Sequence, residues 1–437
     1  MTVLRGFAMQ TYTRRGMLGL AGAVALVALA ACADGDRPRT PRPDPAAEDP
    51  SGPSVELAAD DPGATSYQGG SLAFALTMLA AAQAEAGDQS SVVSPLSISQ
   101  CLALVAQGAR GETAGQLAAL LGCSSVDELR AGANAEITAV RALQHATFDL
   151  ANAAFTDESF PVKAPYAGTL KEYFGVAAHT TDFAAPDAAT AAINAWVAGR
   201  THEKIPKLLQ QGQVTTDTVT VLVNALYLKA RWAAEFDPNH TAPETFTRGD
   251  GSVVTTDFMH DDRAVAVAQS QGATVFELAY QDDGLRAVFV LPPAGMAMAQ
   301  TIDGLADGSL AVLGIAREKV GAKLAIPVFE VRQRIELTEP LMGAGVTLAF
   351  DPDHADFSAL SDEKTHVSFV QHEAWLKVAE KGTEGAAATA GGAEVGSAPG
   401  PSEEPLLIRL DRPFVFAVQE TATGSYPFVA AINDPSS

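Results

Sequence analysis

Three observations predict an α+β fold with large mixed sheets. Helical periodicities crowd the first half of the chain, strand-like runs crowd the second, and no internal repeat alternates the two. With 437 residues, 47% of them hydrophobic, the chain can bury a large core.

In chain order, SLAFALTMLAAAQAE (71–85) and LSISQCLALVAQGA (96–109) carry apolar residues at helical spacing, with Ser94-Pro95 as a helix start. ETAGQLAALLG (112–122) is a short helix ending at Gly122, DLANAAFTD (149–157) alternates like a strand, and AATAAINAWVAGRT (188–201) is helical. VTVLVNALYLKARW (219–232) opens as a nearly continuous apolar run, so it is a strand buried on both faces. Further strands are read at 284–293, 323–337, 365–379, 406–420 and 426–434.

The ends differ in kind. Residues 1–31 place Arg14 and Arg15 before the apolar stretch GMLGLAGAVALVALAA, the pattern of a signal peptide, with TRR as a weak twin-arginine signal. Leu29-Ala30-Ala31-Cys32 resembles a bacterial lipobox, in which Cys32 is lipidated and becomes the first mature residue. Residues 32–66 are then a lipidated Cys and a disordered Pro-rich tether, with seven prolines and few apolar residues, reaching on the order of 100 Å if polyproline-like. The expected location is exported and membrane-anchored through that lipid alone, with the folded part, 67–437, extracellular or periplasmic. A formal net charge of −23 repels phosphate backbones, which argues against nucleic-acid binding. Cys101 and Cys123 read either as buried small hydrophobes or as one optional bridge.

Motifs for catalysis are missing. There is no GxSxG, no Walker loop and no GxGxxG. His202-Glu203 and His372-Glu373 begin an HExxH that no second histidine completes, and the histidines lack metal-ligand spacing. No metal, no cofactor and no enzymatic activity is expected. Arg248-Gly249-Asp250 spells an adhesion tripeptide but reads as a polar turn.

One segment fits none of this. EKGTEGAAATAGGAEVGSAPGPSEEP (380–405) separates two strands by far more than a hairpin needs. At a period of two, Thr383, Gly385, Ala387, Thr389, Gly391, Ala393 and Val395 share one face. Glu384, Ala386, Ala388, Ala390, Gly392 and Glu394 share the other. Such a segment can slip between two strands with its first face on a core and its second in water. Alanine and glycine do not insist on being strand, which suits a segment with two states. The bland reading is a flexible linker.

These residues resemble the serpin family. EKGTEGAAATA is similar to the hinge of its reactive-centre loop, and SVVSPLSISQCLALVAQGARGETAGQL (91–117) to the segment running into its second helix. TVLVNALYLKARWAAEFD (220–237), LTEPLMGAGVTLAFDPDHADFSAL (337–360) and DRPFVFAVQETATGSYPFVAAINDP (411–435) match in the same order. The resemblance spans roughly residues 70–435. It implies a serpin fold of about nine helices and three β-sheets, and a monomer. It implies inhibition of serine-type endopeptidases by suicide-substrate trapping, with the cleaved loop inserting into the central sheet and the protease held in a covalent complex. The alternative is a non-inhibitory serpin-fold binding protein at the cell surface.

Residue by residue, Glu380, Gly382, Thr383, Glu384, Gly385, Ala386, Ala387, Ala388 and Thr389 fall on the hinge. Ser94, Ser97, Asn224 and His372 match the polar shutter beneath the sheet opening, and Trp232 the tryptophan where insertion starts. The family's spacing puts the reactive bond at Gly396-Ser397, with Glu394-Val395 and Val395-Gly396 as neighbours. No Arg or Lys lies between 382 and 408, so elastase-like or subtilisin-like targets are expected rather than trypsin-like ones. Two departures stand out. Gly385 replaces the usual hinge alanine, and Val328 stands where a lysine often pairs with Glu380.

Overall fold

The structure, a computed structural model, describes residues 52–313, 315–384 and 405–436. Among these are eight α-helices: α1 (Thr65–Ala86), α2 (Pro95–Ala106), α3 (Gly111–Leu120), α4 (Val126–Arg141), α5 (Ala164–Thr169), α6 (Pro186–Arg200), α7 (Met298–Ala306) and α8 (Thr338–Gly343). The strands are β1 (Ser91–Val93), β2 (Ala146–Asp157), β3 (His179–Thr181), β4 (Thr220–Arg231), β5 (Ala242–Thr247), β6 (Val253–Ser270), β7 (Ala273–Ala279) and β8 (Leu285–Leu291). They continue with β9 (Glu318–Pro327), β10 (Phe329–Glu336), β11 (Phe369–Ala379), β12 (Gly382–Glu384), β13 (Leu406–Arg409), β14 (Phe414–Glu420) and β15 (Phe428–Ile432).

The expected α+β order holds, with these refinements. Two long strand readings each split in two. The run 323–337 breaks at Val328, whose N–H donates to Asp257 O, and the chain crosses there from one sheet to the other. The run 406–420 breaks before Pro413, which has no N–H for a ladder. Among the described residues there are two hydrogen-bonded sheets rather than three. The 18-residue β6 joins what would be separate sheets, pairing β7 at one end and β5 and β9 along the rest. The nine-stranded sheet has the order β1-β15-β14-β8-β7-β6-β9-β13 with β5 on β6, and the six-stranded sheet the order β10-β11-β12-β4-β2-β3.

Three apolar layers hold these parts. One packs α1, α2 and α4 with Leu222, Ile335 and Val370 of the six-stranded sheet. A second lies between the sheets, around Trp232, Phe276, Phe289, Phe329, Phe414 and Phe416. A third, on the other face of the six-stranded sheet, packs Ile193, Val197, Ile205, Leu208 and Leu209 on Val221, Val223 and Ala225. β4 is thus covered on both faces, as its apolar run predicted.

Residues 52–64 depart from the tether reading. Ser54 and Val55 donate to Glu172 O, and Asn134 accepts from Leu57 N–H while donating to Val55 O. The composition is still that of a linker; what fixes this stretch is hydrogen bonding supplied by the body, invisible in the linker itself. The signal peptide, Cys32 and the rest of the tether lie outside the described residues. Cys101 and Cys123 are both free and buried, so the bridge alternative is overturned, and burial pushes both thiols up to about 12.

Candidate functional site

β4 and β11 run parallel and paired from Phe369/Val221 to Glu373/Ala225. Above that they part, and β12 lies between them, antiparallel to both. Thr383 is level with Val378 on one side and Ala230 on the other. The offset between β4 and β11 is 148 residues both where they touch and where β12 separates them. The two strands have therefore opened like a seam without sliding, and the segment 382–384 is a wedge at its top.

The residues of the wedge are suited to the place. Gly382 has φ +149°, and a Cβ there would come 2.1 Å from Ala230 O, so only glycine fits. Thr383 is 1% exposed and shares a 2.5 Å hydrogen bond with the Tyr280 hydroxyl. Tyr280 stacks on Trp232 at 4.7 Å, and Trp232 Nε1–H donates to Ala379 O while its backbone N–H donates to Lys381 O. Glu384 faces the other way, its carboxylate 3.7 Å from Lys229 Nζ. Glu380, lacking a lysine at 328, accepts instead from the Thr241 hydroxyl at 2.8 Å. Thr241 and Tyr280 were not legible beforehand. Each reaches the hinge from a strand end more than 100 residues away, and no local pattern marks it.

Ser94, Ser97, Asn224 and His372 come together lower on the seam. Ser94 caps α2, its side chain accepting from Ser97 N–H at 3.2 Å with Pro95 at the first helical position. Ser94 N–H donates to His372 Nε2 at 3.1 Å, so that nitrogen carries no proton; Nδ1–H then donates to Asn224 Oδ1. A second proton would oppose the Ser94 donor, and burial holds the imidazole down at about 3. Asn152, missed from sequence, completes the group: it accepts from Ser97 Oγ at 2.7 Å and donates to Ser97 O at 2.8 Å. It sits level with Asn224 on the neighbouring strand, a pairing that only the sheet order reveals. Among the described residues, buried Asn224 Nδ2 has no acceptor. The Ser97 hydroxyl is spent on Asn152, so Ser97 and His372 form no nucleophile-base pair.

One expectation concerns residues beyond Glu384, which lie outside the described ones. The second face of the inserting segment was read as lying in water. Below Glu384, however, the same face of β4 is Val221, Val223 and Ala225, buried beneath α6 and the residues that follow it. Alanines at 386, 388 and 390 suit a covered track, not a wet one. The hinge positions Gly385, Ala386, Ala387, Ala388 and Thr389, and the reactive-bond candidates Glu394, Val395, Gly396 and Ser397, lie outside the described residues. Arg248 of the adhesion-like tripeptide is tied to Asp434 at 2.5 Å within a tight turn, as a polar-turn reading requires.

A family model described as Serpin (serine protease inhibitor) matches residues 70–435. The chain belongs to the serpin family. It is 33% identical to Iripin-2 of Ixodes ricinus over 353 residues, 78% of this chain and 86% of that one. It is 31% identical to Serpin-Z2B of Triticum aestivum, covering 83% and 94%. Among solved structures it is similar to thyroxine-binding globulin in complex with thyroxine, with TM-score 0.73, 26% identity and coverage of 85% and 99%. The native state of Tengpin, a thermophilic serpin, shares the fold with TM-score 0.75, 24% identity and coverage of 87% and 96%. Serpins are in general protease inhibitors rather than catalysts.

Proposed function

We propose that this serpin inhibits serine-type endopeptidases as a suicide substrate, through its segment 380–405. The observation that carries this reading is the wedge. A strand of three residues already sits in register between two strands that are paired beneath it, so a longer strand has a prepared track. Attack at the loop forms an acyl-enzyme. Insertion of the freed segment then carries the acylated protease along and distorts it before water can deacylate it.

If the inserting strand continues in the register of 382–384, each following residue has a place. Every step down the track brings the next residue level with one residue of β4 and one of β11. Ala386 falls between Tyr227 and Trp375, Ala388 between Ala225 and Glu373, and Thr389 between Asn224 and His372. Thr389 would thus separate the Asn224–His372 pair and bring a hydroxyl to the amide of Asn224, which lacks an acceptor among the described residues. Gly392 is level with Val221 and Phe369, the last pair of the track. A bond at Gly396-Ser397 leaves enough chain to fill it.

The loop has no basic residue near that bond, which supports elastase-like or subtilisin-like targets. The lipobox-like Leu29–Cys32 supports display of the inhibitor from a membrane surface. The test is incubation with a panel of serine proteases and denaturing electrophoresis. A covalent band with an elastase-like or subtilisin-like enzyme, and none with trypsin, is expected. Cleavage by every member without a stable complex would refute the inhibitory reading.

A further inference from the structure

After the segment 385–404 the described chain resumes at Pro405 and runs into β13, the last strand of the nine-stranded sheet. There Leu407 is level with Lys323 of β9, and Lys323 with Asp262 of β6. The neighbouring row on the same face is Pro405, Gly321 and Ala264, since residues two apart along a strand share a face. All six are exposed. The other face of these strands, with Val265, Ala322, Leu324 and Ile408, is buried between the sheets.

Three features set the exposed face apart. Leu407 is 69% exposed, the most exposed large apolar side chain among the described residues. A Cβ on Gly321 would meet nothing within 4 Å, so the surface beside that leucine is low and open. One lysine and one aspartate cancel, which leaves the six residues neutral in a chain of net charge −23.

What covers this face follows from chain length. Ser397 to Pro405 is nine residues, a span of at most about 30 Å. A protease domain of about 200 residues has a radius of gyration of about 16 Å and is on the order of 40 Å across. An enzyme attacking Gly396-Ser397 is therefore wider than the chain that joins the bond to Pro405, and its rim comes within reach of Leu407. We propose that the outward face of β6, β9 and β13, centred on Leu407 and Gly321, is a secondary docking surface for the target protease. Its partner is an uncharged, apolar part of the enzyme rim on the leaving-group side of the bond. The inference rests on the inhibitory reading above and adds where the enzyme sits while it attacks. Cleavage leaves the acyl group on the residue before the bond, while Leu407 stays in β13 on the other side of it. Insertion then takes the enzyme away from this face, so the contact speeds the encounter without holding the trapped state.

The rate of attack on the loop reads the contact whether attack ends in trapping or in simple cleavage. Second-order rates are measured with pancreatic elastase and with subtilisin, summing covalent complex and cleaved chain on denaturing gels. Leu407→Ser removes the apolar contact. Gly321→Asp puts a charge on the open face, at a backbone position that is not left-handed. Each should slow attack by at least one of the two enzymes about ten-fold, the rate equivalent of losing a leucine's burial. The share of attacks that ends as complex should not change. Leu407→Met should restore the rate, and Val253→Ser, at the far end of β6, should leave it at the wild-type value. Attack by both enzymes at the wild-type rate on either Leu407→Ser or Gly321→Asp would overturn the docking surface. So would slower attack accompanied by a smaller trapped share, because the residues would then act on insertion. A wild type that is cleaved without forming a complex would overturn the inhibitory reading alone, since slower attack on the variants would still report the contact.

Discussion

At the scale of single residues, Thr383 is where sequence and structure meet most closely. The alternation placed it on the core face, and it is buried against Tyr280 with Val378 and Ala230 on either side. Thr383→Arg would put a guanidinium that cannot lose its proton beneath the sheet. The variant should be cleaved at the same bond but form no covalent complex, a change from inhibitor to substrate visible on a denaturing gel. Glu384→Gln, facing Lys229 on the other side, should trap within a few-fold of wild type. Equal trapping by both would show that the inserting register is wrong. The companions of these residues were less legible. Asn152, Tyr280 and Thr241 act through neighbours fixed only by strand order, and a local pattern of apolar and polar residues does not encode strand order.

Two buried titrating groups pull the pH dependence of stability in opposite directions. His372 is held at about 3 against an ordinary 6.5, so the unfolded chain binds the extra proton. Its contribution is complete above about pH 6.5 and is lost as pH falls towards 3. Glu136, buried and accepting from Tyr67 and Gln100, is pushed up to about 7 from 4.5, so here the folded state binds the extra proton. Its contribution grows as pH falls from 7 to 4.5. Each is at most on the order of a few kcal/mol. His372→Asn should therefore make the melting temperature rise more on going from pH 7 to 5, and Glu136→Gln should make it fall. Thermal melts of both variants across that range check the signs, and identical profiles would refute the assignment.

At the scale of elements, the type of element was legible where one face or both faces repeat, as in α1, α2 and β4, although α1 begins at Thr65, within the stretch read as tether, and not at 71. They were not legible where a strand changes sheets. Val328 and Pro413 interrupt runs whose apolar content stays high, because both sheets are equally buried there. The track between β4 and β11 yields a length prediction. On the proposed insertion, residues through Gly392 would fill it, and Thr389 would have to arrive to separate Asn224 from His372. Cutting the loop between Gly392 and Pro399 should raise the melting temperature by well over ten degrees, several kcal/mol by the usual scaling. Cutting after Ala387 leaves the lower seam closed and should give a much smaller gain. Calorimetry on two singly cut forms, each identified by mass, distinguishes them. Equal gains would mean that the strand does not proceed down the track residue by residue.

At the scale of the whole molecule, the anchor and the inhibitor should be separable. The described body begins at 52, with Ser54, Val55 and Leu57 already bonded to Glu172 and Asn134. If Cys32 is the first mature residue, as proposed, the spacer would be the stretch before 52, a reach on the order of 60 Å if polyproline-like, shorter than the composition of 32–66 alone suggested. Among the described residues, the seam and the wedge are built from groups at and beyond Ser94. Expressed in a bacterium with its own N-terminus, the wild type should carry lipid on Cys32 and partition into detergent. Cys32→Ala should move the protein to the aqueous phase or leave it misprocessed. The purified Cys32→Ala body should form the covalent complex at the wild-type rate, since the described groups of the seam and the wedge lie at and beyond Ser94. A soluble wild type whose mature N-terminus lies beyond residue 32 would remove the anchor from the account and leave the inhibitor standing. A Cys32→Ala body that is correctly folded yet traps more slowly would show instead that residues before 52 reach the seam.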